Sequence, residues 1–91
     1  MHTKTIKVME QEIKATIENN YKDVCVGDME LDGDYLIIKA FASSSKLPFI
    51  AKRILDKYKN IRVVHFTGGW TESVYTRETL KWAGYKMKDV K

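Results

Sequence analysis

Four carboxylates at alternate positions, Asp28, Glu30, Asp32 and Asp34, form the first group in this chain whose spacing invites a chemical reading. A calcium loop of the EF-hand type puts oxygen ligands at its first, third and fifth positions, a glycine at the sixth and a bidentate glutamate at the twelfth. Asp28, Glu30, Asp32 and Gly33 match the opening of that pattern, but the twelfth position is Lys39, and no entering and leaving helices flank the loop. The acids are therefore expected to face water at a hairpin tip. Zinc fares no better: Cys25 is the sole cysteine and the chain has 2 His, too few for the four ligands of a structural site. Neither metal nor cofactor is expected.

Nucleophilic catalysis needs a nucleophile, a base and an orienting group within hydrogen-bond reach. Cys25 and His65 meet only if their strands are neighbours facing the same side, and no motif marks an oxyanion hole. Cys25 is expected to be a small buried hydrophobe, and His65 a hydrogen-bonded residue on an apolar strand. Thr67-Gly68-Gly69-Trp70 lies between a strand and a helix expected over 72–83, where backbone N–H groups can cradle an anion. It lacks both the Gly-x-Gly-x-x-Gly spacing and the Walker lysine, so a turn is the expected role. No catalytic residue is assigned, and the chain is expected not to be an enzyme.

The basic residues are the most informative set. Residues 1–45 hold five lysines against eight acids, a net −3, whereas residues 46–91 hold eleven Lys or Arg against four acids, a net +7. Lys46, Lys52, Arg53 and Lys57 fall off the apolar stripe of one expected helix. Lys59 and Arg62 follow directly, and Arg77, Lys81, Lys86, Lys88 and Lys91 extend the series. Phosphate recognition needs such a footprint, because each neutralised phosphate releases counterions. Trp70 and Tyr75 are the expected stacking partners for unpaired bases, and Trp82 and Tyr85 the expected core-capping aromatics.

The expected role is a small non-catalytic binding module that engages nucleic acid or a nucleoprotein through Lys46, Lys52, Arg53, Lys57, Lys59, Arg62, Trp70, Tyr75, Arg77 and Lys81. The competing expectation is a protein-binding regulator, an inhibitor or adaptor of the kind encoded by phages or mobile elements, acting by charge complementarity. Opposite polarity of the two halves also allows head-to-tail self-association.

These side chains need a scaffold, and 91 residues allow one domain, spanning 1–91. No apolar run reaches the roughly 20 residues of a membrane span, and the N-terminus lacks the apolar segment of a signal peptide. Together with a lone cysteine, this points to the cytoplasm. Ile6, Met9, Ile13, Ile17 and Tyr21 set a helical stripe over about 4–20, stopped at Asn19-Asn20. A strand through Val24, Val26 and Leu31 follows, with Gly27-Asp28 as a possible bulge. Asp32-Gly33 signals a type I′ turn into a second strand, Tyr35–Phe41, whose near-continuous apolarity suggests a central, two-sided position. Ser43-Ser44-Ser45 offers caps for a second helix whose first turn contains Pro48. Leu47, Ile50, Ala51, Ile54, Leu55 and Tyr58 form its stripe. Ile61–Phe66 is a third strand, Gly84 ends a third helix as its C′ residue, and Tyr85–Lys88 is a possible edge strand. The expected fold is an α+β two-layer sandwich, α-β-β-α-β-α with an optional final β, its helices on one face of a small mixed sheet.

Overall fold

The computed structural model describes residues 6–41, 45–68 and 72–86. The chain runs α1 (Ile6–Asn20), β1 (Cys25–Asp32), β2 (Tyr35–Phe41), α2 (Leu47–Lys57), β3 (Val63–Thr67), β4 (Ser73–Thr76) and α3 (Arg77–Trp82). The four strands form one sheet in the order β1-β2-β3-β4. β1 and β2 are an antiparallel hairpin, β2 and β3 run parallel with α2 as the crossover, and β3 and β4 are antiparallel. The sheet is therefore mixed and the α+β architecture is as expected.

Alternation along the strands decides which side the helices cover. Val26, Leu31, Leu36, Ile38, Ala40, Val64 and Phe66 point to one side and are buried. The same apolar cluster contains Ile13 and Ile17 of α1, Ile50, Ala51, Ile54 and Leu55 of α2, and Leu80 of α3. Each helix lays its stripe on that single face. The opposite face carries Tyr35, Ile37, Val63 and His65, all only half-buried, with Lys39 and Phe41 exposed. β2 is thus central, as its apolarity suggests, but covered on one side only.

Several local signals act as the sequence indicates. Asn20 is the last residue of α1, and the register of β1 shifts between Val26 and Met29, placing the bulge at Gly27-Asp28. Pro48 sits in the first turn of α2. The cap there differs from expectation: Lys46 holds the N-cap position without a side-chain capping bond, and Ser43 and Ser44 lie outside the described residues. The hairpin turn also differs. Gly33, with φ of 63°, is its first central residue, and no described non-glycine residue has positive φ. Positive φ at the first central position alone is the type II′ pattern, not type I′.

The largest difference lies at 73–76. Ser73–Thr76 is a fourth strand, paired from Val63↔Thr76 to Phe66↔Ser73, within the stretch expected to be helical from 72. The helix begins only at Arg77, where Thr76 accepts the Thr79 N–H with its side chain and the Thr79 side chain accepts from the Thr76 N–H. That reciprocal cap fixes the start of α3. The next described element after Gly68 is accordingly an antiparallel strand and not a helix, and Gly69 lies outside the described residues. Tyr85 and Lys86 are not in a strand, and Met87 and Lys88 lie outside the described residues.

Two side chains tie the layers together. Glu10 of α1 accepts the Leu31 N–H through Oε2 at 2.9 Å, along the outer edge of β1. Arg77 donates to three main-chain carbonyls: Leu55 at 2.6 Å, Tyr58 at 3.1 Å and Ile61 at 2.8 Å. These carbonyls belong to the C-terminal end of α2 and its exit loop, where helix carbonyls lack intrahelical partners and the dipole favours a cation. No helix among the described residues is long and apolar enough to cross a membrane.

Candidate nucleic-acid interface

The apolar stripe of α2 leaves a second stripe at the same helical spacing: Phe49, Lys52, Arg53, Asp56 and Lys57. This stripe faces the last turn of α1, where Thr16, Asn20 and the following Tyr21 supply the opposite wall, and Tyr85 adds an end wall. This open groove has a volume of about 790 Å³. The last turn of α1 beside α2 thus makes a solvated helix face one wall of a groove.

Aromatic rings hold much of its shape. The Arg53 guanidinium lies 5.9 Å from the Tyr21 ring centroid, a contact that keeps the cation at the wall while leaving its edge donors open. Phe49 and Tyr85 meet edge to face, with centroids 5.3 Å apart and an interplanar angle of 82°. Tyr85 reaches this place because of Gly84. The Gly84 N–H donates to the Lys81 carbonyl at 3.0 Å and the Tyr85 N–H to the Leu80 carbonyl at 3.0 Å. This is the paired closure of a Schellman motif, with Gly84 at φ 97°. Gly84 is therefore the C′ residue its sequence context indicates, and it swings Tyr85 back onto the core.

The expected basic residues divide. Lys52, Arg53 and Lys57 line the groove, with Asp56 as the one carboxylate among its walls. Lys52 pairs with Asp56 at 2.8 Å. Lys57 lies 5.4 Å from the Tyr58 ring centroid. Lys46 instead pairs with Asp23 at the start of α2, and the donated hydrogen bond holds the Asp23 carboxyl below the usual carboxylate range. Arg62 lies 3.7 Å from Asp34 beside the hairpin turn. Arg77 is engaged with carbonyls, as described above. Lys59 and Lys81 are exposed but do not line the groove. Lys88 and Lys91 lie outside the described residues.

The aromatic assignments also change. Tyr75 is half-buried against the core, its ring 5.9 Å from that of Phe66, because it belongs to β4 and shares the face of Val64. Trp82 is 84% exposed, whereas Phe49 is 52% exposed. On α3 Leu80 is the buried residue, and two residues further on a helix points nearly the opposite way. Trp70 lies outside the described residues. Phe49 and Tyr21 are the aromatics that composition alone had not singled out; their signal is the spacing of Phe49 with Lys52, Arg53 and Lys57.

Cys25 is exposed, not buried. It pairs with Phe41 on the open side of the sheet, while His65 pairs with Ile37 on β3. β1 and β3 flank β2, so four residues along the strands and two strand spacings separate them by roughly 16 Å. They form no nucleophile–base pair. The His65 Nδ1 is 3.0 Å from the Tyr35 hydroxyl, and its Nε2 is 3.8 Å from Glu72. Asp28, Glu30, Asp32 and Asp34 are all exposed along β1 and its turn.

Comparison with protein-family models, curated proteins and solved structures finds no match to this chain.

Proposed function

We propose that this chain is a small non-catalytic module that binds nucleic acid, and that the groove between α1 and α2 is the binding surface. The observation that carries the reading is the convergence of Lys52, Arg53 and Lys57 with Tyr21, Phe49 and Tyr85 in one concave site. Cations alone solubilise a helix, but cations framed by aromatic rings match the two faces of a nucleotide, its phosphate and its base. Lys59 and Lys81 contribute long-range attraction rather than contacts, whereas Lys46 and Arg62 are offset by Asp23 and Asp34.

Fluorescence anisotropy with short labelled DNA and RNA, at two salt concentrations, tests this. Binding is expected at low salt and weakens as salt rises, with a log–log slope of about −0.7 for each single-strand phosphate neutralised. Arg53→Gln together with Lys57→Gln should weaken binding and flatten that slope. Absence of binding at low salt, or indifference to salt, overturns the reading.

A protein partner is the second reading, favoured by the open side of the sheet, where Phe41 and Val74 are 50% and 51% exposed. Here, capture of a partner that survives nuclease treatment and is lost in Phe41→Ser, but kept in Lys57→Gln, is the distinguishing result.

A further inference from the structure

The geometry points to single-stranded nucleic acid as the occupant of this groove, with an unpaired base seated against Phe49 and its phosphates against Arg53 and Lys57. This inference rests on the nucleic-acid reading above and narrows it to one class of strand.

Two observations favour a single strand over a duplex. α2 does not stand out as a ridge: Lys52, Arg53 and Asp56 face the last turn of α1 across the groove. Reading a duplex with a helix requires that helix to enter a major groove roughly 8.5 Å deep, and the exposed stripe of α2 shares its groove with the last turn of α1 instead of standing clear of it. The second observation is Phe49. Its ring is 52% exposed although it is held edge to face against Tyr85. A duplex hides its base faces inside the stack and offers such a ring nothing, whereas an unstacked base supplies a flat apolar surface of matching shape.

The charge arrangement agrees. Arg53 rests by the Tyr21 ring and keeps its other donors exposed, suited to phosphate oxygens. Lys57 follows one helical turn further along, so a backbone tracking α2 passes both cations. Asp56 is paired with Lys52, which leaves the Arg53–Lys57 side as the more positive path. On the opposite wall the Thr16 hydroxyl and the Asn20 amide already donate to the Glu12 and Thr16 carbonyls of α1, which leaves their side-chain oxygens as acceptors. Base edges that reach that wall with a donor find those oxygens.

The experiment is a competition measured by anisotropy. A labelled single-stranded oligonucleotide is displaced by its duplex, by a mononucleotide and by polyphosphate, using the full chain and the variants Phe49→Ala and Phe49→Tyr. The single strand should outcompete the duplex, and Phe49→Ala should weaken single-strand binding roughly five- to hundredfold with an unchanged salt slope. Phe49→Tyr should bind like the parent, and polyphosphate should compete poorly. Phe49 is half exposed, so circular dichroism should confirm that Phe49→Ala stays folded. Equal affinity for duplex and single strand, polyphosphate competing as well as the oligonucleotide, or an unaffected Phe49→Ala overturns this inference while leaving nucleic-acid binding standing. A mononucleotide that displaces the oligonucleotide with equal affinity overturns it in favour of a free-nucleotide site. No binding of any nucleic acid overturns both.

Discussion

Two groups of cations surround α2, and they do different work. At its C-terminal end Arg77 is turned inward, with its guanidinium on the carbonyls of Leu55, Tyr58 and Ile61. Along its flank Arg53, followed by Lys57 as the last helical residue, keeps its charge on the wall of a groove, and both rest by tyrosine rings rather than on carboxylates. Both groups look alike as entries in a charge count. They differ because a helix C-terminus presents unpaired carbonyls that draw a cation in, whereas a helix flank presents only other side chains. A basic segment therefore overstates the charge available to a partner by whatever the fold itself consumes.

The comparison is broken most severely at Arg77. Arg77→Ala removes a charged donor from three carbonyls at once and should destabilise the protein by about 3 kcal/mol, read from the urea midpoint. Oligonucleotide affinity of the folded fraction should stay within about twofold on this argument, since one distant charge lies outside the contact surface. Arg77→Lys should recover only part of the loss, because one ammonium lacks the planar fork that reaches three acceptors. An Arg77→Ala protein of parental stability with weakened binding would reverse the roles assigned to the two groups.

Gly84→Ala sharpens the comparison from the other side. It places a Cβ at φ 97° and should cost about 1–2 kcal/mol. Because the same residue directs Tyr85 against Phe49, oligonucleotide binding should fall as well. Stability and binding should thus move together at Gly84 and separately at Arg77.

Tyr58 gives a pH test of the α1–α2 contact. Burial raises its phenol above the ordinary value, and the negative charge of Glu12, whose carboxylate accepts the Tyr58 hydroxyl, adds to the effect. A raised folded-state value favours the neutral phenol. Its contribution is present below the unfolded value of about 10 and is lost as pH rises through the folded one. Chemical denaturation across this alkaline window should show Tyr58→Phe losing less stability than the parent. The smallest effect belongs to Arg62→Gln. An exposed pair at 3.7 Å from Asp34 should change stability by less than about 0.5 kcal/mol, with no change in the oligonucleotide's salt slope beyond its scatter.

Much of the scaffold was legible because long periodic segments carry their own phase. The stripes of α1 and α2, the bulge at Gly27-Asp28 and the Gly84 terminus all follow from local rules. Ser73–Thr76 did not, since four residues are too few for alternation to compete with a helical pattern that continues into Leu80. The overlooked signal was Thr76 with Thr79, a cap that dates the helix start to Arg77. The same boundary sets Tyr75 on a strand with its ring against the core, while the phase set by the buried Leu80 leaves Trp82 exposed. Cys25 departs from expectation for a related reason: it alternates with the buried Val24 and Val26 and so faces the open side. The groove was legible only in half. α2 announces its cations, but nothing local in Thr16, Asn20 or Tyr85 shows that they will stand opposite.

The Glu10 carboxylate on the Leu31 N–H has a consequence for how the protein behaves at high concentration. Runaway strand stacking starts from an uninterrupted row of unpaired main-chain donors on a long edge. β1 is the longer of the two outer strands, and that row is interrupted twice, by the Glu10 carboxylate from α1 and by the bulge at Gly27-Asp28. The remaining outer strand, β4, is only four residues long. Among the described residues the sheet thus offers a growing fibre only an interrupted edge and a short one, without being closed into a barrel.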